Sequence, residues 1–387
     1  MKKAIVISLV LALSFGLVVT AVATTISTGL TKGQGGGSAP YIKAKWEMYG
    51  PCFDGSSWNG CSGAGGQGLD ASGDPGAQFA PPQEWGKNLN YTVCAIATDP
   101  NGADDIDGVY ADIYYPSNRP MHVSMDPDEI DNPSGGCGAF IEENTLIKLS
   151  KDEGYELICN QIRNNNYDLP VKNPDYPTLS DLYEDICGPE GELQKEEAFV
   201  YCDDKTLTWE DPAGFYKVEV FAQDNAGNSS EKLENHFEYL AFTGYEVDFS
   251  SVDYGEVLLD VHKKVSGDRN FDTADKPTVR NIGNTRLNMK VAQDDMNLGQ
   301  SSGEWNVRYD ARVGNLTSDW AYYYPFGYVG DTPSSDDYTE LNEILDLSET
   351  EEMDFSIEVF KWPDEDNFAG ELWLDAEYAE FDESLCD

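Results

Sequence analysis

The chain has 387 residues, of which 71 are acidic and 25 basic, so its formal net charge at pH 7 is −46. DNA, RNA and anionic lipid headgroups repel a polyanion of this size, which excludes nucleic acid as a partner. Most of this charge is explained by solubility and hydration at high ionic strength, where electrostatic screening lengths are short. The length allows two or three domains with a sizeable core.

The N-terminal residues predict export. Lys2 and Lys3 precede an apolar run from Ala4 to Ala23, which ends in the small-x-small sequence Ala21-Val22-Ala23. This pattern is typical of a signal peptide (residues 1–23) cleaved after Ala23. The run also reaches the ~20 residues that span a bilayer, so an uncleaved N-terminal anchor and a pilin-type leader are the alternatives. We expect membrane contact only through this segment.

Residues 24–40 (TTISTGLTKGQGGGSAP) are rich in Gly, Ser and Thr, and they predict a flexible linker. A body held by such a linker would be tethered to a surface or would reach a neighbouring copy.

The cysteine pattern also indicates an extracellular protein. An even number of cysteines in an exported chain predicts disulfides, and metal ligation is disfavoured because there is no C-x-x-C and the three histidines stand apart. Cys52 and Cys61 bracket a short turn-rich loop and are expected to pair, whereas the other pairings stay open. Sequons at Asn90, Asn228 and Asn315 predict glycosylation. The eight cysteines are Cys52, Cys61, Cys94, Cys137, Cys159, Cys187, Cys202 and Cys386.

Period-2 alternation of apolar residues predicts a first β-sandwich over residues 41–242. Residues 90–116 form a strand, a turn and a strand, and residues 215–225 and 235–242 predict the closing hairpin. Residues 117–208 interrupt this pattern with four cysteines and helical spacing. We predict helices over residues 145–163 and 179–186, the second with Ser180 as N-cap, in a disulfide-stapled, partly helical insertion.

Residues 41–48 (YIKAKWEM) predict an amphipathic strand directly after the linker. Its apolar face carries Ile42, Ala44, Trp46 and Met48, and its polar face carries Lys43, Lys45 and Glu47. The simple interpretation is the first strand of the sandwich. The alternative is an assembly strand that inserts into the sheet of the next copy and links subunits into a fibre.

A second, acidic β-sandwich is predicted over residues 243–387. Strand patterns cover residues 245–249, 257–263, 278–281, 286–292, 305–311, 355–361 and 371–378. Residues 340–347 predict a short acidic helix.

Three stretches resemble secreted archaeal surface proteins of the methanogen type, which carry immunoglobulin-like or PKD-like domains. They are KAKWE at 43–47, ATDPNGADDIDGVYADIYYP at 97–116 and GFYKVEVFAQDNAGNSS at 214–230. Residues 276–291 (KPTVRNIGNTRLNMKV) resemble a hairpin of TasA/camelysin-type fibre proteins. These likenesses imply a mainly β chain with two β-sandwich domains (Ig-like or jelly-roll-like), the first with an insertion.

Two loops carry oxygen ligands at the close spacing that Ca²⁺ uses. The other interpretation is that Asp and Asn occur in turns for their local hydrogen bonds. The first loop holds Asp99, Asn101, Asp104, Asp105 and Asp107, and the second holds Asp268, Asn270, Asp272 and Asp275.

The sequence contains no motif for a nucleophile, a P-loop or a zinc protease, so we expect no enzyme. The predicted function is an extracellular structural protein, a self-associating subunit of a surface filament, sheath or envelope layer. The alternative is a monomeric adhesin or a carbohydrate- or calcium-binding module. The aromatic run WAYYYPFGYVG at 320–330 would provide a surface for glycans or a subunit contact, and the simpler interpretation is a half-buried strand or loop.

Overall fold

The computed structural model describes residues 37–54, 56–60, 76–116, 140–166, 169–273, 276–314, 319–364 and 368–380, with the backbone alone for residues 140–144. The predicted signal segment, the linker up to residue 36, and Cys61, Cys137, Asp275, Asn315 and Cys386 lie outside these ranges. Within them, no helix is both long and apolar enough to cross a membrane.

The fold is mainly β with two β-sandwiches, as the alternating patterns predict. In the described part of the chain, buried apolar side chains form one cluster between Ile42 and Tyr239 and another between Tyr254 and Val359. The strands of the first sandwich are β1 (Tyr41–Tyr49), β2 (Phe53–Asp54), β3 (Ser57–Trp58), β4 (Gln78–Phe79), β5 (Leu89–Thr98), β6 (Ile106–Tyr114), β7 (Phe140–Lys148), β8 (Val171–Lys172), β9 (Ala198–Leu207), β10 (Gly214–Asp224) and β11 (Leu233–Tyr239).

The first sandwich is one folded sheet with the strand order β4-β11-β10-β6-β7-β9-β5-β1-β8. Strand β7 pairs with β6 along most of its length and with β9 at its end, so it joins the two layers. Aromatic rings pack the two layers together: the ring centroid of Tyr91 on β5 lies 5.0 Å from that of Phe237 on β11 and 5.5 Å from that of Phe79 on β4, both in the opposite layer.

The helices cover the outer face of the layer that contains β1, β5 and β9. They are α1 (Lys151–Tyr155), which continues as a π-helix over Glu156–Arg163, α2 (Leu179–Cys187) and α3 (Glu192–Lys195). A Cβ on Gly154 would lie 3.0 Å from Cγ2 of Val200, so the missing side chain lets α1 pack closely on β9. These helices form the predicted partly helical insertion. Strands β7 and β9, which fall within the same predicted range of residues 117–208, belong to the sheet.

The helix boundaries differ from the predicted ones because capping residues decide where each helix begins. Ser150 and Glu153 form a capping box, so residues 145–148, predicted as helix, continue β7 instead. Thr178, not Ser180, caps α2, because its hydroxyl accepts from the backbone N–H of Asp181.

Strand β1 has no solvent face, so the prediction of an exposed polar side is wrong. Lys43, Lys45 and Glu47 are 5%, 0% and 0% exposed. The strand lies between the helical layer and the opposite sheet, and the polar side chains find partners on both sides. Lys43 Nζ lies 2.6 Å from Asp185 and 2.7 Å from Glu192.

The second sandwich packs a larger sheet, β12-β14-β21-β18-β19 with β13 on β21, over the three-stranded sheet β20-β15-β22. Its strands are β12 (Tyr245–Val247), β13 (Lys263–Val265), β14 (Thr278–Asn281), β15 (Arg286–Gln293), β16 (Gln300–Ser301), β17 (Glu304–Trp305), β18 (Val307–Val313), β19 (Ala321–Tyr323), β20 (Thr339–Leu345), β21 (Thr350–Val359) and β22 (Leu372–Ala379).

Two predicted elements of this sandwich are wrong. The acidic helix at 340–347 is strand β20, which pairs with β15. Residues four apart share one face of a strand as well as of a helix, so the buried Leu341 and Leu345 fit either element. Residues 257–263 do not form the predicted strand. Leu258 and Val261 are exposed, and β13 begins only at Lys263.

Disulfides fasten the first sandwich, as predicted. Cys94 on β5 is bonded to Cys202 on the adjacent β9, and Cys159 is bonded to Cys187 within the helical layer. Cys52 is also in a disulfide. Its predicted partner, Cys61, lies outside the described residues.

Asn284, on the turn between β14 and β15, joins the two sandwiches. Its side-chain amide donates to the carbonyl of Leu240 at 2.9 Å, and its Oδ1 accepts from the backbone N–H of Phe242 at 2.7 Å. Its own carbonyl accepts from Ala213 N at 2.9 Å. Asn284 is 2% exposed, so the two sandwiches meet through buried hydrogen bonds at this position.

Replacing Asn284 by Ala removes both side-chain hydrogen bonds at the junction. Because buried groups left without partners cost about 1–3 kcal/mol, we expect Asn284→Ala to lower the free energy of unfolding by roughly that amount in urea denaturation. Asn342→Ala, at an exposed position, is the matched control and should change it by less than about 0.5 kcal/mol. Equal effects of the two substitutions would contradict the role given to Asn284.

Candidate metal centre

Three carboxylates meet at one end of the first sandwich. Asp99 follows β5, Asp105 ends the short 3₁₀ turn before β6, and Asp224 ends β10. One oxygen from each carboxylate lies within 4.8 Å of the others. Within the described residues, no other group of three or more His, Cys, Asp or Glu side chains is this compact.

Asp99 supplies an oxygen that lacks a partner. The residue is 4% exposed, and its Oδ1 accepts from the backbone N–H of Asn101 at 2.6 Å. Its Oδ2 is buried without a hydrogen-bond partner among the described residues. A buried carboxylate oxygen without a donor is costly, and a cation in the cluster would satisfy it.

The β10–β11 turn favours the ionised form of Asp224. Its Oδ1 accepts from the backbone N–H groups of Ala226 at 2.9 Å and Asn228 at 2.8 Å, and its Oδ2 accepts from Asn228 Nδ2 at 2.8 Å. These bonds, led by the Asn228 side chain, hold the pKa of Asp224 below its ordinary value. Asn225 ties the turn to the first loop through its N–H, which donates to the Asp105 carbonyl at 2.9 Å.

The described chain begins against this cluster. The side-chain amide of Asn101 donates to the carbonyl of Ser38 at 3.0 Å, and that of Asn228 donates to the carbonyl of Gly37 at 3.4 Å. The two loops that carry the carboxylates therefore also hold the start of the sandwich.

The structure separates the residues of the first predicted loop. Asp99 and Asp105 join the cluster, whereas Asp107 is exposed and the Asp104 side chain is 98% exposed, 3.9 Å from Lys148 Nζ. Sequence reasoning missed Asp224. The turn sequence Asp-Asn-Ala-Gly-Asn marked that position, but only the pairing of β6 with β10 brings it to the loop.

The second predicted loop is arranged differently. Asp268 lies 3.6 Å from Lys276 Nζ and accepts from the backbone N–H of Asn270 at 2.9 Å. The backbone N–H of Asp272 donates to Asp248 at 3.1 Å, and the side chain of Asn270 donates to Thr273 at 2.7 Å. The Asp268 side chain thus accepts hydrogen bonds within its own loop, and Asp275 lies outside the described residues.

Two of the predicted glycosylation sites can be placed. Asn90 is exposed. The side-chain nitrogen of Asn228, where a glycan would attach, donates to Asp224 and to Gly37. A glycan at this position would therefore disturb the hydrogen bonds that orient Asp224.

No family model matches the chain, and no curated protein gives a significant match. Among solved structures, the chain is similar to the C-terminal domain of the Streptococcus pyogenes antigen I/II-family protein AspA, with 11% identity, coverage of 84% of this chain and 91% of that one, and a TM-score of 0.17. The C-terminal domain of the Streptococcus agalactiae antigen I/II polypeptide BspA has 12% identity, coverage of 83% of this chain and 91% of that one, and a TM-score of 0.17. Likeness at this TM-score carries no argument about fold or function.

If the cluster binds Ca²⁺, removal of the ion leaves three carboxylates in mutual repulsion. We therefore expect Ca²⁺, added after chelation, to raise the unfolding temperature of the chain, with a stabilisation of about 2.7 kcal/mol at ~100 times the dissociation constant. Asp99→Asn keeps the Oδ1 acceptor and replaces the unpartnered Oδ2 by a nitrogen, so it should abolish most of this rise in differential scanning calorimetry.

Asp107→Asn is the matched control, because Asp107 lies in the same loop with an exposed side chain. It should respond to Ca²⁺ as the unmodified chain does. An equal Ca²⁺ response from Asp99→Asn, or no response from the unmodified chain, would show that the cluster holds no cation.

Proposed function

We propose that this chain is a non-enzymatic structural protein of the cell exterior, a subunit of a surface filament, sheath or envelope layer of the archaeal type. The observation that carries the proposal is a mainly β body of two sandwiches joined in series, with disulfides between neighbouring strands and within the helical layer. Disulfides form and persist in oxidising compartments outside the cytosol, which supports an extracellular location.

The resemblance of residues 43–47, 97–116 and 214–230 to archaeal surface modules supports the same class. The surface charge agrees with it as well, because a net charge of −46 favours a soluble, hydrated exterior and repels polyanionic partners.

The geometry around His262 supports a function without catalysis. Ser356 Oγ lies 3.3 Å and Asp310 Oδ2 lies 3.1 Å from the same ring nitrogen, Nδ1. A nucleophilic relay requires the serine and the carboxylate at different ring nitrogens. Ser356 is also 1% exposed, so a substrate could not reach its hydroxyl.

Assembly by strand exchange is part of the proposal. Within one chain, β1 pairs with β5 from Tyr41 to Tyr49, and Ile42, Ala44, Trp46 and Met48 are all buried. The same strand could occupy the same groove in a neighbouring copy, since it directly follows the predicted linker. Divalent cations at the Asp99 cluster would then stiffen the loops beside the point where β1 enters.

The alternative, a monomeric adhesin or carbohydrate-binding module, is favoured by one surface. Tyr322, Tyr324 and Tyr328 are 68%, 51% and 52% exposed, whereas Tyr323 between them is buried. Exposed tyrosine rings can stack on sugar faces. A glycan-binding role predicts that Tyr322→Ala abolishes binding to a glycan array, while Tyr378→Ala, at another exposed tyrosine, has no effect.

Negative-stain electron microscopy of native material purified at physiological ionic strength tests the structural role. We expect elongated polymers or sheets with a regular repeat. An excess of an isolated peptide spanning residues 37–50, present while the chain folds, should shorten them by occupying the β1 groove before β1 does. A peptide of the same composition in scrambled order is the control. Monodisperse particles of one chain would contradict the polymer and favour the monomeric alternative.

A further inference from the structure

The interior of the first sandwich contains an amine, a carboxylate and a carboxamide in mutual contact. Lys45 Nζ lies 2.6 Å from Glu47 Oε1 and contacts Asn235 Oδ1 directly. The second carboxylate oxygen of Glu47 accepts from Asn235 Nδ2 at 2.9 Å. The side chains of Lys45 and Glu47 are both 0% exposed.

The surroundings of these groups are apolar. Across β5, Lys45 is opposite Ala95 and Glu47 is opposite Val93, and both are fully buried. Asn235 lies on the inward row of β11 between Leu233 and Phe237. Burial therefore lowers the pKa of the Lys45 ammonium, which favours the neutral amine.

A buried ion pair would be the plain interpretation, but it explains only part of the arrangement. Such a pair often contributes no net stability, because desolvation of both charges offsets their attraction. An ion pair does not explain why the Lys45 amine also contacts the Asn235 carboxamide, or why the Glu47 carboxylate contacts both of these groups. A nucleophile, an electrophilic carbonyl and a group able to move protons between them form a reactive set.

We propose that Lys45 and Asn235 become joined by an isopeptide bond between Lys45 Nζ and Asn235 Cγ. The neutral amine attacks Cγ, the bond from Cγ to Nδ2 breaks, and one molecule of ammonia leaves. No oxidant, reductant or cofactor is consumed, because the reaction exchanges one amide for another.

Glu47 is the catalytic residue of this step. Its Oε1 accepts the proton that Lys45 must lose to become a nucleophile, and its Oε2 faces the nitrogen that must gain a proton to leave as ammonia. The carbonyl of Val218, which accepts from Lys45 Nζ at 3.2 Å, holds the amine in place. Val218 is also directly opposite Asn235 in the pairing of β10 with β11.

The bond would join the first and the last strands of the sandwich, 190 residues apart in sequence. Strands β1 and β11 lie in opposite layers and are not neighbours in the sheet. Tension between the N-terminal linker and the second sandwich would then pass through residues 45 and 235 and bypass the strands between them. Such a bond suits a tethered protein, but its formation does not depend on the proposed function.

Peptide mapping by mass spectrometry of the purified full chain, fully reduced and alkylated, tests the bond. We expect a branched peptide containing Lys45 and Asn235 with the mass of the two segments less one ammonia, and no tryptic cleavage after Lys45. Lys45→Met and Glu47→Gln should each abolish the branched peptide. Asn235→Ala should do the same, because it removes the electrophile.

Lys217→Met is the matched control, because Lys217 pairs at 2.8 Å with Glu219, two residues later on one strand, but is partly exposed. The branched peptide should persist in this variant. A folded, unmodified chain whose Lys45 and Asn235 peptides appear only separately would overturn the proposal, even if the Lys45 and Glu47 variants fail to fold.

Denaturing gel electrophoresis of the reduced chain separates this proposal from strand exchange. A branched peptide in a monomer band supports the bond within one chain, and a branched peptide in a ladder supports the bond between exchanged copies. A ladder or a polymer without the branched peptide overturns the bond and leaves the structural function standing.

Discussion

The first sandwich depends on how it accommodates an amine, a carboxylate and a carboxamide between its two layers. Lys45 and Glu47 stand on a strand that is buried on both sides, and among the described residues their polar atoms contact each other, Asn235 and the Val218 carbonyl. Removing one partner of such a set leaves a buried charge and typically costs ~3–5 kcal/mol. This requirement fixes the position of β1 against β11 more strictly than apolar packing alone.

The other constraints of the chain act at the ends of the same body. Close to the start of β1, the carboxylates of Asp99, Asp105 and Asp224 meet, and the loops that carry them hold the backbone of residues 37 and 38. At the far end, Asn284 joins the two sandwiches through hydrogen bonds from its side chain and backbone. Polar contacts therefore hold the chain at the start of β1, between the two layers of the first sandwich and at the junction with the second.

Much of the fold could be predicted from the sequence, because period-2 alternation marks strands that bury one face. The alternating pattern misleads where a strand buries both faces. In the sequence, the polar residues Lys45 and Glu47 alternate with apolar ones, which is typical of a strand with one face in solvent. They are buried because β1 lies between the helical layer and the opposite sheet. Leu341 and Leu345 suggested a helix because residues four apart share one face of a helix, but they share one face of a strand as well. Part of the carboxylate cluster could be predicted, namely Asp99 and Asp105. Asp224 and Asn235 could not, because strand pairing alone brings them to their partners.

Single-molecule force spectroscopy can show whether Lys45 and Asn235 are covalently joined, when the chain is pulled between its ends under reducing conditions so that the disulfides are open. We expect that the residues between positions 45 and 235 never contribute to the contour length released on unfolding, and that they do contribute in Glu47→Gln. Release of the full contour length from the unmodified chain would mean that the bond is absent.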